Sequence, residues 1–314
     1  MPPHSGVVAL TGATGFIGRR LVPALQASGY RVRALVRRQD KALAAADVAQ
    51  VQGDLDDVDA LKRLVAGTCG IIHAAGAVLA PNAARFESIN VAGTRRVAAA
   101  AMDAGISRFV LVSSLAARTP ALSPYASSKA AAEALVASLR PGLDVAIVRP
   151  PAVYGPGDRA TLPMFRQLAH GFLVAPSSPE ARFSLIFVDD LAQLMVGLLS
   201  FKEMPEAPIE PDDGRPGGYG WRDLATIAAD SLQRRVRVLP LSRVLADAAA
   251  TVIEAGSRVA GRSSLINRGK LAELFHPDWI ARGGAIEGWR AWTTFADGFP
   301  ATLEWYRSAG WIRG

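Results

Sequence analysis

Val8-Ala9-Leu10-Thr11-Gly12-Ala13-Thr14-Gly15-Phe16-Ile17-Gly18-Arg19-Arg20 joins an apolar run to a helical segment that carries Leu21 and Leu25 on one face. The junction is a Gly-x-x-Gly-x-x-Gly spacing, and each glycine answers a separate physical demand. Gly12 lets the chain turn tightly, Gly15 lets the backbone approach a pyrophosphate, and Gly18 lets the helix pack closely on the strand. The N-terminus of the helix then offers unpaired N–H groups and the positive end of its dipole to the anion. A strand–glycine turn–helix unit of this kind predicts a dinucleotide cradle formed by Gly12, Thr14, Gly15, Phe16, Ile17 and Gly18.

The same alternation continues outward. Apolar runs at Val32–Val36, Val48–Val51, Gly70–Ala74, Arg108–Ser113 and Leu143–Arg149 are separated by helical segments at Val58–Ala66, Ala83–Ala104 and Ser123–Leu139. The runs are nearly continuous in apolar residues, as strands covered on both faces require. Strands alternating with helices of this length predict an α/β fold, a Rossmann-type doubly wound parallel sheet. After Arg149 the rhythm breaks, with Pro and Gly crowding Pro150–Asp158 and a loop-like stretch over Pro205–Gly220. Helices are expected at Trp221–Leu232, Arg243–Val259 and Asn267–Phe275, with a short strand at Arg235–Leu239. The expected organisation is a dinucleotide-binding domain over 1–155, to which 184–201 returns. A smaller mixed C-terminal substrate lobe would occupy 156–183 and 202–314.

Composition excludes several classes. No apolar run in the 314 residues approaches the roughly 18–20 needed to span a bilayer. Met1-Pro2-Pro3-His4-Ser5-Gly6 lacks a basic region followed by an apolar core, so no signal peptide is expected and the cytoplasm is the expected compartment. The net charge of +7 invites a nucleic-acid partner, but only 5 of 35 basic residues are lysine and the arginines are dispersed. Neither nucleic acid nor membrane is therefore expected as a partner. The single cysteine, Cys69, suits a reducing compartment and is expected to be a buried structural thiol. No His/Cys/Asp/Glu cluster has metal-ligand spacing.

Further landmarks follow in order. They are Gly53-Asp54-Leu55, His73-Ala74-Ala75-Gly76, Asn90-Val91-Ala92-Gly93-Thr94, Arg149-Pro150-Pro151-Ala152-Val153-Tyr154-Gly155-Pro156-Gly157-Asp158 and Phe187-Val188-Asp189-Asp190-Leu191-Ala192. Together with the glycine spacing they resemble the extended short-chain dehydrogenase/reductases, the NAD(P)-dependent epimerase/dehydratase family. That resemblance implies cofactor contacts from Asp54, Leu55, Ala74, Ala75, Gly76, Pro150 and Val153, and a homodimer paired through the Ala83–Ala104 and Ser123–Leu139 helices. It also makes His73 a satisfied structural histidine, and Asp189-Asp190 a structural anchor at a strand-to-helix turn.

Ser113-Ser114 end the fifth strand, and Tyr125-Ala126-Ser127-Ser128-Lys129 open the next helix. The i, i+4 spacing sets Tyr125 and Lys129 side by side on one face. A phenol with a pKa near 10 is a poor acid–base at neutral pH, and a nearby ammonium lowers it. Ser114, which matches the family position better than Ser113, can hold the same carbonyl oxygen. Ser114, Tyr125 and Lys129 are thus the expected catalytic set, with Tyr125 and Lys129 also touching the cofactor. Arg37 stands where NAD-preferring enzymes place an acidic residue, with Arg38 beside it. A guanidinium suits a ribose 2′-phosphate, so NADP(H) is favoured, with NAD(H) as the alternative.

The substrate is expected to be a small molecule. The chain has only three asparagines (Asn82, Asn90 and Asn267), and none follows the Tyr154-Gly155-Pro156-Gly157 stretch, where sugar-nucleotide members of the family use one. Arg182 is offset by about one residue from the arginine such enzymes use. Leu162, Met164, Phe165, Phe172 and Leu173 fit a more hydrophobic, sterol-like or isoprenoid-like alcohol or ketone, and fit ordinary core equally. Three readings stay open: a dehydrogenase/reductase of a secondary alcohol or ketone, a nucleotide-sugar epimerase or dehydratase, and a non-catalytic relative that binds RNA or a protein complex.

Overall fold

The computed structural model describes residues 6–176, 181–244, 246–248, 268–283, 286 and 288–312. The chain divides into two compact units, one of Met1–Arg149 with Ala192–Ile209 and one of Pro150–Leu191 with Glu210–Gly314.

The first unit is built on a six-stranded sheet of order β3-β2-β1-β4-β5-β6, parallel throughout. Its strands are β1 Gly6–Thr11, β2 Tyr30–Val36, β3 Ala49–Gln52, β4 Gly70–His73, β5 Arg108–Val112 and β6 Asp144–Val148. The apolar runs produce these strands because helices bury both faces. Every residue of β4 is buried, and Phe109–Val112 are buried along β5. Helix α1 (Phe16–Ala27) carries β1 to β2, while α2 (Lys41–Ala45) and α3 (Val58–Val65) flank β3. The strand order reverses direction between β1 and β4. That reversal opens a crevice at the carboxyl ends of the strands, where ligands bind in such sheets.

One expectation is modified. The helix read over Ala83–Ala104 begins as α4 (Ala83–Phe86), widens into a π-helical turn at Glu87–Ala92, and resumes as α5 (Gly93–Asp103). Such bulges commonly mark functional positions in a helix. Here the wider turn includes Asn90, whose buried side chain is fully engaged with neighbouring groups. α6 (Pro124–Ala137) follows β5, capped by the Ser123 hydroxyl on Ala126 N.

Among its described residues the second unit holds three two-stranded parallel ladders. β7 (Ala152–Tyr154) pairs with β10 (Leu185–Phe187), β8 (Phe172–Pro176) with β11 (Arg237–Leu241), and β9 (Arg182–Phe183) with β12 (Asp278–Trp279). Its helices include α7 (Leu162–Ala169), α8 (Val188–Leu198, which runs on into the first unit's residues), α9 (Trp221–Leu232), α10 (Arg268–Leu274) and α11 (Phe295–Ser308). Of the helix expected over Arg243–Val259, only 243, 244 and 246–248 are described, and these are helical. Asn267 lies outside the described residues.

An aromatic cluster fills this unit's core. Phe165 stacks on Phe299 at 5.3 Å, and Tyr154 meets Phe295 edge-on at 5.2 Å. Phe165 and Leu173 are core members, and Leu162 and Met164 pack against them. The apolar residues offered for a hydrophobic substrate are therefore mostly spent on packing, and they carry no information about ligand. Among the described residues no helix is long and apolar enough to cross a membrane.

Candidate active site and dinucleotide cradle

The glycine turn closes at the carboxyl end of β1. Gly12 has φ +77°, and a Cβ there would lie 2.7 Å from the Ala74 carbonyl carbon and Ala75 nitrogen. A Cβ on Gly18 would stand 2.0 Å from the Gly12 carbonyl oxygen. Gly15 N donates to Gly12 O at 2.9 Å, and α1 begins at Phe16 with no side chain capping its N-terminus and no acid in its first turn. Thr14 and Gly15 are exposed, with Phe16 and Ile17 half-buried behind them. Uncapped N–H groups at an exposed glycine turn fit a pyrophosphate, the group that would satisfy them.

The other expected cofactor residues in this unit gather along the same sheet edge. Thr11 Oγ1 accepts from Ala75 N at 3.1 Å, tying the end of β4 to the end of β1. Gly76 is exposed, and a Cβ there would be 3.1 Å from Asn90 Oδ1 and 3.8 Å from Lys129 Nζ. Asp54 is exposed just beyond β3, its Oδ1 accepting from Asp56 N, while Leu55 packs on the bare Cα of Gly93. Arg37 and Arg38 are exposed beyond β2. Pro150 and Val153 belong to the second unit, where Val153 pairs with Ile186.

Lys129 lies one turn after Tyr125 on α6, is buried, and donates from Nζ to Val112 O at 2.6 Å. Burial pushes its pKa down to about 8, against the pull of the Glu133 carboxylate. Tyr125 is half-buried with its ring 6.0 Å from Phe86. The two serines separate cleanly. Ser113 is buried and donates to Glu133, whereas Ser114 caps the turn at Leu115–Arg118 by accepting from Ala116 N at 3.2 Å. Accepting that bond leaves the Ser114 hydroxyl proton available to donate.

Asn90 and Glu133 enlarge the constellation. Asn90 accepts from Ala77 N at 2.7 Å and donates to Ala77 O and to Ser128 Oγ. Glu133 receives the Arg149 guanidinium on both oxygens, with Nη2 to Oε2 at 2.6 Å. Asn90 was legible as part of a helix motif. Glu133 was not, because it stands alone among alanines, although its i+4 spacing from Lys129 is a signal.

His73 is held as expected of a structural histidine. Thr94 Oγ1 donates to Asn90 O at 2.6 Å, so it accepts from His73 Nε2–H at 3.0 Å. Nδ1 is then bare and accepts from Thr11 Oγ1 at 2.6 Å. The neutral tautomer satisfies both ring nitrogens of His73 and the hydroxyls of Thr94 and Thr11. Burial, reinforced by the Lys129 charge, lowers the pKa from 6.5 to about 3. The unfolded chain therefore takes up a proton on His73 that the folded chain refuses. His73 contributes stability above the unfolded pKa, and that contribution is lost as pH falls from 6.5 toward 3. On the order of 2 kcal/mol should disappear between about pH 6.5 and about pH 5. Urea denaturation of wild type and His73→Asn across that range should show the steeper loss in wild type, and parallel slopes would refute the assignment.

Cys69 departs from expectation. It is exposed, at the opposite edge of the sheet from the crevice, where its thiol donates weakly to Val7 O at 3.4 Å. Partial burial nonetheless raises its pKa, so a thiolate is disfavoured there. In the second unit Asp190 is buried and accepts from Trp292 N and Thr293 N, fixing the approach to α11. Arg182 is committed to Asp223 at 3.1 Å and to the carbonyls of Gly217 and Gly218. Among the described residues no group of three or more His, Cys, Asp or Glu could hold a metal ion.

Comparison with known proteins identifies the family. A profile of the NAD dependent epimerase/dehydratase family matches residues 8–208. A ceramide reductase of Caulobacter vibrioides is 40% identical over 311 residues, covering 98% of this chain and 96% of the relative. A 4-hydroxy-2-methyl-3-oxo-4-farnesyl-3,4-dihydroquinoline-1-oxide ketoreductase of Stigmatella aurantiaca is 38% identical over 49% of this chain and 52% of its own. Among solved structures, the dTDP-glucose 4,6-dehydratase DesIV of Streptomyces venezuelae, with NAD and TYD bound, superposes with a TM-score of 0.72. It is 25% identical and covers 98% of this chain and 99% of its own. On motif, fold and sequence together, the chain belongs to the NAD dependent epimerase/dehydratase family of extended short-chain dehydrogenase/reductase enzymes.

Proposed function

We propose that this enzyme is an NADP(H)-using reductase that interconverts a ketone and a secondary alcohol on a hydrophobic, ceramide-type lipid. The observation that carries the reaction type is the placement of Ser114 at the end of β5 with Tyr125 and Lys129 at the start of α6. Gly12, Gly15, Gly18 and the uncapped start of α1 would hold the dinucleotide, which when bound would supply the hydride that the reduction needs. Tyr125 Oη gives its proton to the carbonyl oxygen, so that C=O becomes CH–OH, and Tyr125 is reprotonated from solvent. The Lys129 ammonium stabilises the tyrosinate formed in that step. Ser114 donates its free hydroxyl proton to the same oxygen as negative charge develops on it.

The substrate class rests on the near full-length likeness to the ceramide reductase. Commitment of Arg182 to Asp223 supports it, since that guanidinium is not free to hold a sugar-nucleotide diphosphate. The cofactor preference rests on Arg37 and Arg38. Both are exposed beside the crevice, and neither is engaged by another described group.

Purified protein incubated with NADPH and an N-acyl 3-oxo long-chain base should consume NADPH and accumulate one equivalent of the 3-hydroxy lipid. Interconversion of UDP-sugars with no net change in cofactor would overturn the reductase reading in favour of the epimerase. An Arg37→Ala/Arg38→Ala variant should weaken NADPH binding about tenfold or more, close to 1.4 kcal/mol, while NADH binding barely moves. Equal weakening for both cofactors would reject the 2′-phosphate role.

A further inference from the structure

We propose that Glu133 is a positioning residue of the reaction centre: its carboxylate, locked by Ser113 and Arg149, keeps the Lys129 ammonium charged and aligned beside Tyr125. The proposal rests on the reductase reading only for what Lys129 does in turnover, and its test reads Lys129 directly.

Tyr125, Lys129 and Glu133 follow one another at i, i+4 spacing on α6, so they form a single stripe along the helix. The outer two differ in their surroundings. Tyr125 is half-buried, whereas Glu133 is buried and its carboxylate is gripped from two strands. Ser113 Oγ donates to Oε1 from the end of β5, and Arg149 donates to both oxygens from beyond β6. Ser113 is the neighbour of Ser114, so the same carboxylate that pins α6 also fixes the backbone from which Ser114 projects. One side chain thereby sets the register between the helix bearing Tyr125 and Lys129 and the segment just beyond β5 that bears Ser114.

The electrostatic half of the argument follows from counting what faces Lys129. From β5 comes the Val112 carbonyl, an uncharged acceptor. From β4 comes His73, which stays neutral throughout the working range. From the π-helical turn comes Asn90, uncharged, and from the loop after β4 comes Gly76. On α6 itself are Tyr125 and Glu133, and from beyond β6 comes Arg149, bound to Glu133. Among the described residues Glu133 is thus the one anion placed to oppose the desolvation of the buried ammonium. Arg149, paired with Glu133 through both carboxylate oxygens, tempers that field.

The sign of each substitution is fixed. Removing the anion while keeping the shape, as in Glu133→Gln, disfavours the ammonium and moves the Lys129 titration to lower pH. Removing the cation, as in Arg149→Gln, leaves the anion unopposed and moves it to higher pH. The chain has five lysines, so a protein labelled with 13C at lysine Cε gives a spectrum simple enough to assign Lys129 by its loss in Lys129→Met. We expect the Lys129 midpoint to fall by about half a pH unit or more in Glu133→Gln and to rise in Arg149→Gln. Glu133→Asp, which keeps the charge, should restore most of the Glu133→Gln shift. The alkaline limb of ketone reduction should move in the same directions, because that limb reports the first proton lost from the Tyr125–Lys129 pair.

An unmoved Lys129 midpoint in either folded variant would overturn the proposal, as would a shift of the opposite sign. Should Glu133→Gln fail to fold, Arg149→Gln decides alone. Lys129 shifts as expected in a protein that reduces no ketone would uphold the role of Glu133 and sink the reductase reading. An unchanged titration in an active reductase would do the reverse.

Discussion

A Tyr125→Phe variant is expected to lose about two to four orders of magnitude in kcat for ketone reduction, with NADPH affinity within about twofold of wild type. The size follows from what is removed. The substitution deletes one oxygen, the only atom of that side chain able to give a proton to the carbonyl. The ring itself stays beside Phe86, and α6 keeps its Ser123 cap. Lys129 retains its bond to Val112 O, and the glycine turn at Gly12–Gly18 is untouched. Cofactor binding and folding should therefore survive while chemistry fails. Residual turnover reflects the hydride donor held near the carbonyl and the Ser114 hydrogen bond, which together still lower the barrier. Thermal denaturation, a fluorescence titration with NADPH and single-turnover rates separate the three quantities. A rate above about one tenth of wild type would remove Tyr125 from the acid role and shift attention to Ser114.

The parts of this site that were legible in sequence are those written in local spacing. Gly12, Gly15 and Gly18 announce the turn because their spacing is local: Gly15 and Gly18 crowd the backbone of Gly12 and Ala13, and Gly12 has a positive φ, although it also presses on the distant Ala74 and Ala75. Tyr125 and Lys129 announce their pairing because four residues make one helical turn. The central strands of the first unit were legible for a similar reason: helices cover both faces of β4, β5 and β6, so these runs are apolar along nearly their whole length. The second unit was not. Its ladders join segments as distant as Arg182–Phe183 and Asp278–Trp279, each two residues long, and no periodicity can emerge from so short a run. The apolar residues Phe165 and Leu173 illustrate the same limit, since hydrophobicity alone does not distinguish a wall of a substrate cleft from a core. The π-helical turn at Asn90 escaped because helical spacing is preserved on either side of it. Cys69 was misread because its neighbours Gly70 and Ile71 are buried while it remains on the rim of the sheet.

Gly18→Ala should be the most damaging single methyl group in the first unit, although helix propensity alone argues the opposite. Glycine inside a helix costs roughly 0.5–1 kcal/mol relative to alanine, so an unconstrained replacement stabilises. Gly197, on α8, supplies the reference: a Cβ there meets nothing within 4 Å. Gly197→Ala is expected to raise Tm slightly. At Gly18 the added carbon would stand 2.0 Å from the Gly12 carbonyl oxygen and 2.7 Å from Ala13 Cα. Both neighbours are backbone, so no rotamer change relieves the overlap. Either α1 moves away from β1 or the turn at Gly12 opens. Opening the turn is resisted because Gly12 is itself pressed against the backbone of Ala74 and Ala75. Moving α1 separates Leu21 and Leu25, both fully buried, from the sheet. Overpacking of this kind typically costs about 1–3 kcal/mol or more, which outweighs the propensity gain. The displaced helix N-terminus also no longer aims its N–H groups at a pyrophosphate held by the turn. The expected result is a lower Tm together with NADPH affinity reduced by about tenfold or more, against a Gly197→Ala control that keeps both. If Gly18→Ala bound NADPH as tightly as wild type, Gly12, Gly15 and Gly18 would not be the cradle, and the site assigned to the crevice between β1 and β4 would have to be sought elsewhere.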